Sequence, residues 1–224
     1  MTNLNFKEAL QWTSPVMVSY VLLGTGFGIA FSQELHYPWY FASFMGVWIY
    51  SGAAQFLTVG ILATGGGLLE VLLPVLILNG RHIFYSFSML GKLEKVPFKP
   101  YTIFTLTDET YSVFSVLKPG TDGKVFFQVS LFNHLAWILG CTAGAYLGSL
   151  LNQRIEGVNF LLVALFTVAS IEQLKQIKRI WPAAFSVMVF FASYQIMPEH
   201  ALFVSMAALF AFVWMMKGRL DVRH

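Results

Sequence analysis

The chain has 224 residues, of which 57% are hydrophobic and 11% charged, with a net charge of +3. An average soluble domain is about 45–50% apolar and about 25% charged. The composition therefore excludes a disordered chain, a small disulfide scaffold and an ordinary soluble enzyme, and it reads as a polytopic membrane protein. The 14 Lys and Arg lie mostly between apolar runs, as a positive-inside bias requires. No basic patch interleaved with aromatics points to nucleic acid. The single Cys141 sits inside an apolar run, where it can form no intrachain disulfide.

Residues 9–33, 35–69, 125–153, 180–198 and 200–216 carry no charge. A helix crossing a hydrocarbon layer of ~30 Å needs about 20 residues. Spans are predicted near 14–33, 39–63, 68–90, 126–151, 158–174, 180–197 and 199–216. Spanning strands are disfavoured, because runs such as Phe160 to Phe166 do not alternate apolar with polar.

Taken in chain order, residues 3–12 predict a short interfacial helix ending at Trp12. The first apolar run follows Lys7-Glu8 and ends without an Ala-x-Ala pattern, so it reads as a retained span and not a cleaved signal. Pro38, Pro182 and Pro198 each sit near the first turn of a span. Thr64-Gly65-Gly66-Gly67 is a tight turn between the second and third runs. The second run holds the polar positions Tyr50, Ser51 and Gln55 beside Gly52-Ala53-Ala54. The small residues allow another backbone to approach. Ser51 and Gln55, four apart, share a face if the helix is continuous.

The third run carries Glu70, Arg81 and His82. Glu70 is within a turn of the start, where a surface position suffices. Pro74, four residues on, predicts a kink. Arg81 lies about 20 Å along the helix from Leu68, well inside a bilayer. Gly80 allows a break and Asn79 a new cap, and half-helices near the midplane build transporter sites. Arg81 then binds a carboxylate in a polar cavity, pairs with Asp108 or Glu109, or snorkels to the surface.

Segment 97–117 is long enough to span, but Asp108-Glu109 at its centre would be costly against lipid. If it spans there are eight crossings, and if not, seven. Seven places every Lys and Arg except Lys7, Arg154 and Arg81 on one side with the C-terminus, and so fits the positive-inside bias better. A broken or re-entrant segment satisfies both. Asp108 and Glu109 suit proton coupling if buried, and are ordinary loop acids if not. In the run 126–151, Asn133 and His134 read as cavity-lining or as satisfied packing residues. Ala136, Gly140, Gly144 and Gly148 form a small-residue face for close helix packing, and Gly24 and Gly28 a shorter one. The whole is an all-α helical bundle of seven to eight spans, broken or re-entrant near 79–82 and 97–117, in one integral membrane domain over 1–224.

The glycine-rich Gly24-Thr25-Gly26-Phe27-Gly28, Tyr50-Ser51-Gly52-Ala53-Ala54-Gln55-Phe56, Asn79-Gly80-Arg81-His82 with Tyr85, and Thr107-Asp108-Glu109 occur in this order. At these residues the chain resembles the AzlC family, the large subunit of bacterial branched-chain amino-acid exporters. Gly80 departs from the family pattern, which has a larger apolar residue there. The resemblance implies export of leucine, isoleucine and valine, with methionine a further candidate, across the bacterial cytoplasmic membrane by the proton motive force. It also implies a small AzlD-type membrane partner.

Candidate substrate-binding residues are Tyr50, Ser51, Gln55, Asn79, Arg81, His82 and Tyr85. Candidate proton-coupling residues are Asp108 and Glu109. A zwitterion needs an anion contact, a cation contact and an apolar pocket, which Arg81, the acids and the aromatics can supply. Nothing in the sequence calls for a metal or another cofactor. An intramembrane protease is disfavoured because Ser51-Gly52 lacks a glycine at position 49, and a zinc enzyme because no His-Glu-x-x-His is present. A channel or a scaffolding subunit without its own site remains the alternative.

Overall fold

A computed structural model of the chain describes residues 2–118, 120–151, 180–198 and 201–216, with single positions 160, 164, 167 and 171 between. The predicted span at 158–174 lies almost wholly outside the described residues. The described structure is all-helical. Residues Met1–Ala164 and Leu165–His224 form two compact units.

In the first unit, α1 runs unbroken over Thr2–Leu35. The separate helix predicted for 3–12 is therefore absent. Pro15 lies within α1 and forfeits one backbone bond, yet the helix continues because Thr13 before it and Tyr20 after it are buried. Packing outweighs the loss of one bond. Helix α8, Gly123–Leu150, is the partner of α1 along most of its length. The small-residue faces meet here. A methyl group on Gly144 would stand 2.1 Å from the carbonyl oxygen of Thr25, and one on Gly28 2.3 Å from the nitrogen of Ala145. Only glycine permits this backbone-to-backbone approach, and Ser32 Oγ adds a 2.7 Å bond to the Ala145 carbonyl.

The second apolar run is not one helix. It divides into α2, Trp39–Trp48, and α3, Gly52–Ala63. Tyr50 between them takes φ +43° and Ser51 is extended. A left-handed tyrosine costs of order 1–3 kcal/mol, offset by contacts described below. The turn Thr64–Gly67 is as predicted, with Gly65 at φ +82°. Glu70 accepts the Gly67 N–H at 2.9 Å and serves as an exposed helix-start residue.

Helices α4, Leu68–Asn79, and α5, Arg81–Met89, meet at Gly80. Gly80 keeps right-handed helical angles and its N–H bonds to Ile77, so the joint is a tightened turn and not an unwound break. Together α4 and α5 are long and apolar enough to cross a membrane, as are Phe6–Leu35 and Gly123–Leu150. Gly52–Ala63 and Trp181–Ile196 are shorter apolar helices.

Segment 97–117 is broken, as one of the two readings required. Helix α6 covers Lys99–Phe104 and α7 covers Asp108–Val116. At about 1.5 Å per residue neither crosses a bilayer. The Thr107 side chain caps α7 by accepting the Thr110 N–H. Lys92, just past α5, donates to the carbonyls of Phe114, Ser115 and Leu117 at 2.9, 3.1 and 3.3 Å, closing the other end of α7. An apolar cluster of Leu93, Leu106, Phe114, Val125 and Val129 packs this end of the unit against Ala9 of α1.

In the second unit, α9, Trp181–Ile196, packs on α10, Ala201–Met216, with the rings of Phe185 and Phe212 4.6 Å apart. Pro182 occupies the first turn of α9 as predicted.

Candidate functional site

Two polar sites sit where the helices of the first unit are interrupted. The first is an ion pair. Arg81 opens α5, Asp108 opens α7, and Arg81 Nη2 lies 2.9 Å from Asp108 Oδ2. Their side chains are 38% and 36% exposed, so the pair is reachable from one side and enclosed on the other. Arg81 Nε and Asp108 Oδ1 are buried with no hydrogen-bond partner among the described residues. The pair thus has polar capacity it does not use internally. Next to it Tyr85 stacks on Tyr111 at 4.6 Å and His82 on Tyr85 at 6.0 Å, forming an aromatic wall. Of the alternatives for Arg81, the structure gives pairing with Asp108, and this pairing leaves a partly open face.

Asn79 does not cap α5. Its Oδ1 accepts from Ser51 Oγ at 2.9 Å, linking the α4–α5 joint to the α2–α3 break. Ser51 and Gln55 do not act together, because the chain is extended at Ser51 and Gln55 lies on α3. Gln55 is wholly buried, and its Oε1 accepts from Trp137 Nε1 at 2.7 Å. The small residues beside it meet a side chain and not a backbone: a methyl on Gly52 would stand 2.9 Å from the Trp137 ring. The Tyr50 ring packs on His134 at 4.4 Å and edge-on to Tyr20 at 6.2 Å, which holds the left-handed turn in place.

The second site surrounds Glu109. Its Oε2 accepts from the hydroxyl of Tyr20 at 2.7 Å, and that hydroxyl also bonds Thr107 Oγ1 at 2.5 Å. Thr107 continues to Thr110 at 3.1 Å, Thr110 accepts from Asn133 Nδ2 at 3.2 Å, and Asn133 Oδ1 accepts from Thr13. This chain of buried groups joins α1, α7 and α8. Tyr20 and Asn133 are at most 3% exposed, and Glu109 is exposed. Asn133 belongs to the network and is a satisfied packing group, whereas His134 bonds Tyr101 through Nδ1 at 3.0 Å and its Nε2 is buried with no hydrogen-bond partner among the described residues.

Tyr20, Thr110, Trp137 and Tyr101 were not singled out in the sequence. Aromatics and threonines in apolar runs give no periodic signal, and their partners are 23 to 89 positions away.

The sequence that carries these residues matches known proteins. A family model described as AzlC protein matches residues 15–151. The chain belongs to the AzlC family. It is 32% identical over 182 residues to a Bacillus subtilis protein named branched-chain amino acid transport protein AzlC, covering 80% of this chain and 71% of that one. It is 34% identical over 175 residues to an uncharacterised membrane protein of Helicobacter pylori, covering 76% of each. It is 27% identical over 173 residues to the Escherichia coli inner membrane protein YgaZ, covering 72% of this chain and 70% of that one. No solved structure matches. This AzlC-family chain is a multi-pass helical membrane protein, and the Bacillus subtilis member of the family is named a transport protein.

Proposed function

We propose that this chain is the large subunit of a proton-coupled secondary transporter that exports branched-chain amino acids across the bacterial cytoplasmic membrane. The whole chain acts as one integral membrane domain of seven or eight spans and works with a small AzlD-type partner. The observation that carries the reading is the half-open Arg81–Asp108 pair at the start of two short helices. A zwitterionic amino acid has the same charges as the pair, reversed. Its carboxylate can take the place of Asp108 against Arg81, and its ammonium the place of Arg81 against Asp108, so no charge is left unpaired in the exchange. The wall of Tyr85 and Tyr111 offers apolar surface for an aliphatic side chain, whereas Tyr50 and Phe56 are buried in the packing behind the α2–α3 break. Ser51 and Asn79 hold the two interruptions in register. The name of the Bacillus subtilis relative supports the substrate class.

The test is efflux of labelled valine from cells expressing the chain with and without a candidate small subunit. Arg81→Ala and Asp108→Asn should each lower efflux more than about tenfold, the equivalent of one charge-assisted contact, while inserting as the native chain does. Wild-type efflux in both variants sinks the site. Failure of the native chain to export valine under any partner condition sinks the substrate.

A further inference from the structure

We infer that Tyr20 is the positioning residue that ties the charge state of Glu109 to the cap of α7, and through that cap to the Arg81–Asp108 pair. The inference rests on the proton-coupled reading above and extends it to a residue on another helix.

The argument begins with hydrogen counting. A tyrosine hydroxyl has one hydrogen to give, and here two oxygens lie within reach, Glu109 Oε2 at 2.7 Å and Thr107 Oγ1 at 2.5 Å. When Glu109 is ionised, a hydrogen bond to its carboxylate is about twice as strong as one between neutral groups. Tyr20 therefore gives its hydrogen to Glu109, and its own oxygen accepts from Thr107. When a proton from the aqueous side adds to the Glu109 carboxylate, that advantage disappears. Tyr20 can turn its hydrogen to Thr107 Oγ1, and Thr107 can turn its own to Thr110 Oγ1 at 3.1 Å. Each hydroxyl keeps one hydrogen throughout, and the only proton gained is the one on Glu109. The same heavy atoms thus support two hydrogen arrangements, selected by that proton.

The arrangement matters because of where Thr107 stands. Its Oγ1 is the acceptor for the Thr110 N–H that caps α7, and the next residue is Asp108. A change in what Thr107 donates to is a change at the first turn of the helix that holds one half of the ion pair. Glu109 is exposed and can meet water, while Tyr20 is buried and cannot. The tyrosine therefore carries the state of an accessible acid inward. The titratable groups facing Glu109 are Tyr20 from α1 and Tyr50 from the α2–α3 break, while its neighbour Asp108 on the same helix faces Arg81 and Tyr85 from α5. The side facing α8 holds Asn133, which does not titrate, and His134, bonded to Tyr101.

A purely structural Tyr20 would only anchor α1 to α7, and the experiment separates the two roles. Tyr20→Phe keeps the ring against Tyr50 and Trp137 and removes the hydroxyl. The purified full chain, with its small subunit where export requires it, is placed in phospholipid vesicles. Two rates are measured with labelled valine: exchange at equal pH on both sides, and net flux driven by an imposed pH gradient. The ratio of driven flux to exchange should fall at least about tenfold in Tyr20→Phe. A smaller change in the ratio, including a parallel loss of both rates, overturns the inference. If the native chain moves no valine, the substrate proposal has failed, and a second measurement still decides this one. Hydrogen exchange at the Thr110 and Tyr111 amides is followed in Tyr20→Phe, Glu109→Gln and the double variant. The inference requires each single variant to speed exchange and the double to add nothing further. Additive effects, or no effect, overturn it.

Discussion

Helix α8 and the joined helices α4 and α5 are alike in hydropathy and opposite in surroundings. Of the most apolar window of α8, 56% is buried inside the protein, against 11% for Leu68–Met89. The difference lies in residue size and polarity. Helix α8 places Ser130, Asn133, Gly140, Gly144 and Gly148 among its buried positions. Helix α4 presents Leu68, Leu69, Leu72, Leu73 and Leu76, all exposed. Apolarity alone selects the lipid phase, because lipid chains solvate leucine as well as another leucine does. Small residues that let backbones touch, and polar groups that find partners, decide which helix goes to the centre. The same rule explains how a wholly buried Gln55 and Asn133 are tolerated: each is hydrogen-bonded.

The contrast can be broken most severely at the seam. Gly144→Leu should abolish the α1–α8 contact, with a loss above about 4 kcal/mol, because backbone and not a mobile side chain stands in the way. Size-exclusion profiles and thermal unfolding of the detergent-solubilised protein would show it, and a native profile would refute the role given to the seam. A smaller loss, of about 2–3 kcal/mol, is expected for Asn133→Leu, which leaves Thr13 and Thr110 without their buried partner. Leu72→Ala on the outer face should change stability by less than about 0.5 kcal/mol in the isolated chain. If the same substitution weakens co-purification of a small membrane subunit, this face is its seat and not merely a lipid surface.

The fold was legible where it depends on composition and spacing. The long helices, the Thr64–Gly67 turn, the break in 97–117 and the glycine stripe on α8 all follow from residues that act locally or at helical periods. Arg81 and Asp108 stood out because charges are rare in such a chain. The break at Tyr50 was hidden, since Gly52 beside it reads equally well as a small packing residue within one helix. It exists because Ser51 finds Asn79 and Tyr50 finds His134, contacts that sequence spacing does not encode. The continuity of α1 through Pro15 was hidden for the converse reason: a local breaker is overruled by burial on both sides. Tyr20 gave no signal, because one tyrosine among apolar residues resembles any other until its hydroxyl is seen to have two acceptors.

The hold of Lys92 on the last carbonyls of α7 has a mechanical consequence. The same stretch of chain grips both ends of that short helix, Arg81 at the start and Lys92 at the finish, with Tyr85 stacked on Tyr111 between. Sliding α7 along its axis would stretch one tether as it slackened the other. The strut formed by residues 81–92 and 108–117 is therefore stiff lengthwise and moves as one lever. Its pivots are the tightened turn at Gly80 and the tight turn at Thr105–Thr107, where the Thr107 N–H bonds the Thr105 carbonyl at 3.1 Å, so a displacement at the ion pair is transmitted to the far end of the hairpin without being absorbed on the way.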